Sequence, residues 1–151
     1  MSYRDSASFG RRQEYVVVAE LLRRGFDVYT TLVDDQGIDC IIRLDEKHYI
    51  DIQIKARSRK AKQWNFFAAM TIEPRDNYYF IFYLERNDTF WVMPSSKVIE
   101  FAVTLRTGKH AEKHSLTIPK SDDTPKGQKF AVFKDDAGFE LLRRHVESIA
   151  V

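Results

Sequence analysis

The chain has 151 residues, of which 44% are hydrophobic and 30% are charged, a balance typical of one globular domain spanning residues 1–151. Its formal net charge of +2 excludes a strongly basic, histone-like protein but allows a local basic face. The single cysteine, Cys40, cannot form an internal disulfide, so we expect a cytoplasmic protein. No apolar run in the sequence is long enough to span a membrane, and residues 1–12 lack the apolar segment of a signal peptide.

The first predicted element is a helix that ends near Arg24. Ser6 or Ser8 could cap its start, and Gly25 is the residue type that often follows a helix end. Four residues form its apolar stripe: Val17, Val18, Leu21 and Leu22. Glu14 lies one turn earlier on the same stripe, where a buried carboxylate needs a partner such as a metal or a lysine. At an exposed helix start, Glu14 would instead only complement the helix dipole.

A β-hairpin is the second strong prediction, after a short strand at residues 26–29 and a polar turn at residues 34–37. Two runs rich in β-branched residues, 38–44 and 48–55, flank a short polar segment. If the turn centres on Glu46, residues 44 and 48 are paired, and so are residues 39 and 53.

The second strand of this hairpin alternates between apolar and polar side chains. Its apolar residues are Ile50, Ile52 and Ile54, and its polar residues are Asp51, Gln53 and Lys55. Because alternate residues of a strand point to opposite faces, the polar set shares one face. The pairing then predicts that Asp39, Gln53 and Lys55 converge on one patch. We expect Asp51 to be exposed or in a salt bridge rather than an acidic ligand, and Asp34 and Asp35 to be solvated.

This constellation resembles the signature of the PD-(D/E)XK nuclease superfamily, an Asp on one strand followed by acidic-x-Lys on the next. Asp39 matches the first position, although Ile38 rather than Pro precedes it. Gln53 occupies the middle acidic position, and Lys55 matches the lysine. The family commonly has a Glu on the preceding helix, and Glu14 is placed to match it. The glutamine is similar to branches that include Holliday-junction resolvase-like proteins and homing endonucleases encoded in bacterial group I introns.

The resemblance implies a single-domain α/β, restriction-endonuclease-like fold, in which helices flank a mixed central β-sheet. It also implies Mg²⁺-dependent hydrolysis of double-stranded DNA, with Mn²⁺ able to substitute. Asp39, Gln53 and Glu14 would be the metal ligands, and Lys55 would orient the attacking water or stabilise the phosphate. We expect the four side chains to converge on one surface cavity. A site-specific homing or restriction-like enzyme is the first reading. A junction resolvase and a non-catalytic nucleic-acid-binding module remain alternatives.

A basic run leaves the second hairpin strand directly and ends at an aromatic residue. It contains Arg57, Arg59, Lys60 and Lys62, with no acidic residue, and Trp64 follows. Cations beside a flat ring suit phosphate contacts with stacking, so we expect nucleic-acid binding here. The alternative is a solvated loop whose Trp64 is tucked into the core.

The second half predicts further strands and two short helices. The predicted strands are residues 66–72, 78–84, 89–93 and 130–133, and the predicted helices are residues 94–101 and 139–146. Between them, residues 103–129 are expected to be irregular, with a possible strand at 115–118. His110 and His114 have a metal-like spacing, but no third ligand accompanies them, so we assign them no metal.

One apparent active site per chain most simply cuts one strand. Symmetric cleavage of a duplex would therefore use two copies related by a two-fold axis. We accordingly expect a homodimer or a higher homo-oligomer.

Overall fold

The computed structural model describes residues 2–35 and 37–149, in which four helices and eight strands are found. In chain order these elements are α1 (Tyr3–Arg23), β1 (Val28–Asp35), β2 (Ile38–Arg43), β3 (Tyr49–Arg57), β4 (Phe66–Met70), β5 (Tyr78–Leu84), β6 (Thr89–Pro94), α2 (Ser95–Phe101), β7 (Val103–Thr104), β8 (His114–Thr117), α3 (Pro125–Ala131) and α4 (Asp135–Ile149). Within the described residues, no helix is long and apolar enough to cross a membrane.

A mixed five-stranded sheet, in the order β1-β2-β3-β5-β6, forms the centre of the molecule. Strands β3 and β5 are parallel, whereas the other neighbours in this sheet are antiparallel. Strands β4, β8 and β7 form a second, smaller sheet. The fold is a single mixed α/β domain with helices flanking the central sheet, and this confirms the predicted fold class.

The hairpin register agrees with the prediction. Cys40 lies opposite Ile52, and the Leu44 N–H donates to the His48 carbonyl at 3.0 Å. The same register places Asp39 across from Gln53.

The two faces of the central sheet belong to different cores. The apolar face of β3, made of Ile50, Ile52 and Ile54, packs in one cluster with residues of α1 and α4. The opposite face of the sheet carries Phe80 and Phe82, which pack against the smaller sheet, α2 and α3. The isoleucine alternation therefore fixes which side of the sheet the first helix covers.

Helix α1 begins earlier than predicted, because Ser2 is its cap. The Ser2 hydroxyl accepts from the Asp5 N–H at 3.2 Å, and the Asp5 carboxylate accepts from the Ser2 N–H at 3.2 Å. This reciprocal capping box satisfies two backbone donors, so Ser6 and Ser8 lie inside the helix. At the other end Gly25 has a φ of +90°, as expected for the residue after a helix.

The predicted strand at residues 130–133 is wrong. Thr124 caps α3 by accepting from the Gly127 N–H at 2.9 Å, and Pro125 occupies the first helical turn. Phe130 and Phe133 are three residues apart, a spacing that places two side chains on one side of a helical turn but on opposite faces of a strand. In the region from 103 to 129, β8 confirms the strand expected at 115–118, whereas β7 and most of α3 were not expected.

Strand β1 is longer than predicted. Asp34 and Asp35 extend it instead of forming a turn. The side chains of both aspartates, and all of Gln36, lie outside the described structure.

Candidate active site

Asp39 is fixed at the point where β2 and β3 meet. Its Oδ2 accepts from the Ile54 N–H at 2.7 Å and from Gln53 Nε2 at 3.3 Å. Both donors come from β3, so the hairpin register alone brings the carboxylate to the strand that carries Lys55.

An irregularity in β1 adjoins this carboxylate. The pairing of β1 with β2 shifts register between Thr30 and Asp35, and the Thr31 hydroxyl contacts the Ile38 and Asp39 carbonyls at 3.1 and 3.2 Å. Bulges of this kind re-aim side chains and are frequent beside active sites.

The Gln53 amide is held from three sides, an arrangement we term the Gln53 clamp. Asp39 accepts from its nitrogen, and the Tyr78 hydroxyl lies 3.2 Å from its oxygen and 2.9 Å from the Gly37 carbonyl. The Gly37 backbone is the third side. Burial, with smaller contributions from Asp39 and other carboxylates, raises the pKa of Tyr78 to about 12, so this hydroxyl keeps its proton at neutral pH.

Lys55 lies in an open cleft of about 740 Å³ whose other lining residues include Gln53, Tyr78 and Arg75. Its side chain is half-buried. Within residues 2–35 and 37–149 no hydrogen bond or ion pair occupies the Lys55 ammonium. Lys55 therefore brings a positive charge to the lining of the cleft.

Glu14 lies in a neighbouring cleft of about 230 Å³, which Asp39 also lines. It forms an ion pair with Arg11, one turn earlier, at 3.0 Å. Burial, followed by the negative charges of Asp39 and Glu14, raises the pKa of the Cys40 thiol to about 12. The two carboxylates are therefore close enough to act on the same buried thiol.

The four predicted site residues thus occupy two adjoining clefts rather than one cavity. Glu14 and Asp39 share the smaller cleft, and Gln53 and Lys55 share the larger one. The hydrogen bond between Asp39 and Gln53 links the two clefts.

The oxygen donors present suit a hard divalent cation. Within the described residues no group of three or more His, Cys, Asp or Glu side chains could hold a metal. Asp39 and Glu14 nevertheless supply two carboxylates to one cleft, whereas Gln53 turns its amide nitrogen to Asp39 and its carbonyl oxygen to Tyr78. Mg²⁺ commonly binds through one or two carboxylates and retains several waters, so this donor set fits it.

Asp51 forms a structural ion pair with Arg75. It is buried and bonds to Arg75, whose guanidinium lies 4.4 Å from the centre of the Tyr78 ring. The expectation that Asp51 forms a salt bridge is therefore confirmed, and its side chain is buried rather than exposed. Of the two spaced histidines, His114 lies on β8 and contacts the Thr104 hydroxyl.

The basic run is partly engaged within the chain. Arg57 donates twice to the Gln63 carbonyl, at 2.9 and 3.1 Å, and Arg59 forms an ion pair with Glu85 at 2.9 Å. Lys60 and Lys62 are exposed. The two lysines are therefore the freest phosphate-binding candidates of this run.

Trp64 is half-buried and packs against the second core, in agreement with the alternative that tucks it into the core. Arg86 and Lys120 lie over its ring at 5.2 and 5.9 Å. Distances of this size are typical of cation–π contacts. Arg86 and Lys120 lie far from Trp64 in the sequence, so no local pattern could have placed them there.

Tyr78 was also missed as a site residue. The aromatic run of β5 predicts a buried strand, and all seven residues of β5 are indeed buried. The hydroxyl of Tyr78 reaches the site only because β5 pairs in parallel with β3, which places Tyr78 opposite Asp51. The sequences of β3 and β5 alone do not indicate that these strands pair in parallel across the intervening residues 58–77.

Comparison with solved structures agrees with the class of fold described above, a mixed α/β domain. A structure of a bacterial homing endonuclease, I-Ssp6803I, is similar over 92% of this chain and 91% of that chain, with a TM-score of 0.65 and 16% sequence identity. No family model matches the sequence, and no curated protein matches it. At this identity the similarity shows a shared fold.

Proposed function

We propose that the protein is a metal-dependent DNA endonuclease of the PD-(D/E)XK type that hydrolyses backbone phosphodiesters. The observation that carries this proposal is the Asp39 carboxylate, bound by two donors of β3 within a hairpin whose next polar residue, Lys55, faces an open cleft. The fold shared with a bacterial homing endonuclease supports it. A site-specific enzyme that cuts both strands is the form we favour.

Asp39 and Glu14 would hold Mg²⁺, or Mn²⁺ in its place, and the Gln53 carbonyl would join them if the amide turns its oxygen towards Asp39. Such an ion, when bound, supplies charge neutralisation at the phosphate and a more acidic water. The protein's own contribution is to fix these oxygens. Asp39 is anchored by the backbone of β3, and Glu14 is oriented by Arg11.

Lys55 would act on the phosphate or on the attacking water. Lys55 lies two residues after Gln53 on the same face of β3, and Arg75 lines the same cleft. Preorganised cations in a partly dry site stabilise developing negative charge, because they need no reorganisation during the reaction.

Duplex DNA would be held by the basic run, with Lys60 and Lys62 outermost and Trp64 beside them. Arg86 and Lys120 over the Trp64 ring extend the positive surface beyond this run. One such site per chain cuts one strand most simply, so we propose that two or more copies act together.

Plasmid nicking tests this proposal. Supercoiled DNA should be nicked or linearised with Mg²⁺ or Mn²⁺ but not with EDTA, and Asp39→Asn should be inactive under all three conditions. A long duplex cut at one position supports the site-specific enzyme. Cleavage confined to four-way junctions supports the resolvase reading. DNA binding without any cleavage would instead identify a non-catalytic module.

A further inference from the structure

We propose that Arg75 is a DNA-binding residue of the larger cleft and that it holds a backbone phosphate next to the one that is cleaved. The inference rests on the proposed function, because it takes the DNA backbone to occupy this cleft. It adds a cation that the nuclease signature does not contain and that lies outside the basic run.

The first observation is that the Arg75 side chain lies between a buried anion and the open cleft. Its Nη2 donates to Asp51 Oδ2, and the Asp51 side chain is 7% exposed whereas the Arg75 side chain is 37% exposed. Arg75 also lines the cleft of about 740 Å³ together with Lys55. Asp51 therefore holds one edge of the guanidinium and leaves the remainder accessible from the cleft.

The second observation is the number of donors that remain on Arg75. A guanidinium carries five N–H donors in a planar fork and keeps its charge in proteins. Within residues 2–35 and 37–149, Asp51 accepts from Nη2 and no acceptor bonds Nε or Nη1 of Arg75. Phosphate oxygens match such a fork in both geometry and charge. The remaining donors therefore suit a phosphate group.

The third observation is that Arg75 is fixed before any ligand arrives. Its guanidinium lies 4.4 Å from the centre of the Tyr78 ring. The hydroxyl of Ser95, which is 0% exposed, accepts from the Arg75 N–H at 3.2 Å and donates to the Arg75 carbonyl at 3.1 Å. A side chain that is already ordered loses less conformational freedom on binding.

The geometry of β3 separates Arg75 from Lys55. Asp51 and Lys55 share one face of this strand, and four residues of a strand span about 13 Å. Arg75 is bound at the Asp51 end, whereas Asp39 accepts from the Ile54 N–H, next to Lys55. The reacting phosphate is therefore assigned to Asp39 and Lys55, and Arg75 meets a phosphate further along the DNA strand.

Neutralisation of the buried Asp51 is the role that Arg75 has without DNA. Arg75→Gln should lower stability for this reason alone, since it leaves a buried carboxylate without its counter-ion. Asp51→Asn removes the other partner of the same ion pair. If pairing alone matters, the two variants should bind DNA alike. If Arg75 binds phosphate, only Arg75→Gln should weaken DNA binding.

The test measures the affinity of a short fluorescent duplex of arbitrary sequence across salt concentrations, in EDTA. Arg75→Gln should lower the slope of log K against log salt by about 0.9, because one phosphate contact is lost. Asp51→Asn should keep the wild-type slope, because Arg75 keeps its charge. The double variant Asp51→Asn and Arg75→Gln should recover the melting temperature that Arg75→Gln loses, but not its slope.

Arg143→Gln is the matched control. The Arg143 guanidinium also lies over an aromatic ring, 4.6 Å from the centre of Phe26, and donates within the chain to the Arg24 carbonyl. It lies on α4, on the side of the central sheet opposite to the cleft. Its loss should leave the salt slope unchanged.

Single-turnover cleavage at saturating DNA tests which phosphate Arg75 holds. Arg75→Gln should need more DNA to reach saturation and then react within a few-fold of the wild-type rate, whereas Lys55→Ala should stay slow at any DNA concentration. A saturating rate as low as that of Lys55→Ala would overturn the assignment to a neighbouring phosphate.

The outcomes distinguish this inference from the proposed function. An unchanged slope in Arg75→Gln, or an equally lowered slope in Asp51→Asn or Arg143→Gln, would overturn DNA binding by Arg75 even in an active nuclease. A lowered slope confined to Arg75→Gln and the double variant supports it. Wild-type protein that shows this pattern but never cleaves DNA with Mg²⁺ or Mn²⁺ would refute the proposed function alone.

Discussion

The two faces of β3 differ in burial, although their residues are neighbours in the chain. Ile50 and Ile52 are 0% exposed and Ile54 is 6% exposed, packed against α1 and the other strands of the central sheet. On the other face Gln53 and Lys55 are half-buried and line a cleft. Strand alternation thus places residues that stabilise the core next to residues of the proposed active site. Substitutions on each face should affect one property, stability or DNA cleavage, while sparing the other.

The largest effect should come from Asp39 and Lys55. Asp39→Asn removes a charge from the site but keeps an oxygen that can accept from the Ile54 N–H, so the fold should survive. Lys55→Ala removes a cation that is not paired within the described residues. Each should lower single-turnover cleavage by at least about 10²–10³-fold, the cost of losing one preorganised group in a reacting site. Melting temperatures should stay close to that of the wild type. A large drop in the melting temperature of either variant would contradict the separation of the two faces of β3.

Ile52→Ala should show the reverse behaviour. This side chain is fully buried between α1 and the sheet, and such truncations cost about 2–5 kcal/mol of unfolding free energy. Urea unfolding should report this loss, while DNA cleavage per folded molecule stays near the wild-type level. Lys55→Ala is the matched control on the opposite face.

Gln53→Glu sharpens the comparison within the polar face. It places a carboxylate against Asp39 Oδ2, which now accepts from the Gln53 nitrogen. Two adjacent carboxylates repel, so without metal one of them should keep its proton at a raised pKa. A raised carboxyl pKa means that stability falls as pH rises through it, and a divalent cation should reverse that loss. Unfolding measured across pH with and without Mg²⁺ tests this. A variant as stable as the wild type at neutral pH without metal would contradict it.

The basic run should affect DNA binding and leave both faces of β3 intact. Replacing Arg57, Arg59, Lys60 and Lys62 with Ala should flatten the dependence of log K on log salt by up to about 0.9 per lost phosphate contact. The double variant Lys60→Ala and Lys62→Ala keeps the contacts to Gln63 and Glu85 and should retain part of the effect.

A charge-matched control replaces four cations elsewhere on the surface: Lys97, Lys126, Lys129 and Arg144. An unchanged slope in the basic-run variant, or an equal change in the control, would place the DNA on another surface.

The smallest expected effect concerns Tyr79, which joins the apolar core behind β3. Burial raises the pKa of Tyr79 from 10.0 to about 12. The unfolded chain therefore loses this proton first, and stability is complete below pH 10 and declines as pH rises towards 12. Tyr79→Phe removes the titrating group, so its stability should decline less steeply over that range. Urea titrations at pH 8 and pH 10.5 measure the difference, and parallel declines would contradict it.

The parts of the site that could be predicted from the sequence are those fixed by local alternation. The hairpin register, the face of Gln53 and Lys55, and the neighbouring position of Asp39 all follow from a period of two around one turn. The capping of α1 by Ser2 was missed because Ser6 and Ser8 offer the same side chain nearby. The strand predicted at residues 130–133 is wrong because Phe130 and Phe133, three residues apart, share one side of a helical turn and would lie on opposite faces of a strand.

Contacts between distant segments could not be predicted. The position of the Tyr78 hydroxyl depends on the parallel pairing of β5 with β3. The two cations over the Trp64 ring, Arg86 and Lys120, lie on two separate loops. The division of the site into two clefts likewise depends on how α1 and β1 meet beside Asp39, which neither element encodes alone.

The parallel pairing of β3 with β5 also has a consequence for the order in which the molecule can assemble. The hairpin of β2 and β3 closes through a few residues, whereas β5 must return across residues 58–77 before Gln53 faces Phe80. Longer loops cost more chain entropy to close and slow the pairing they permit. A partly folded chain that retains only the hairpin would hold Asp39 beside Gln53 but lack Tyr78. The Gln53 clamp is therefore complete only when β5 has paired with β3.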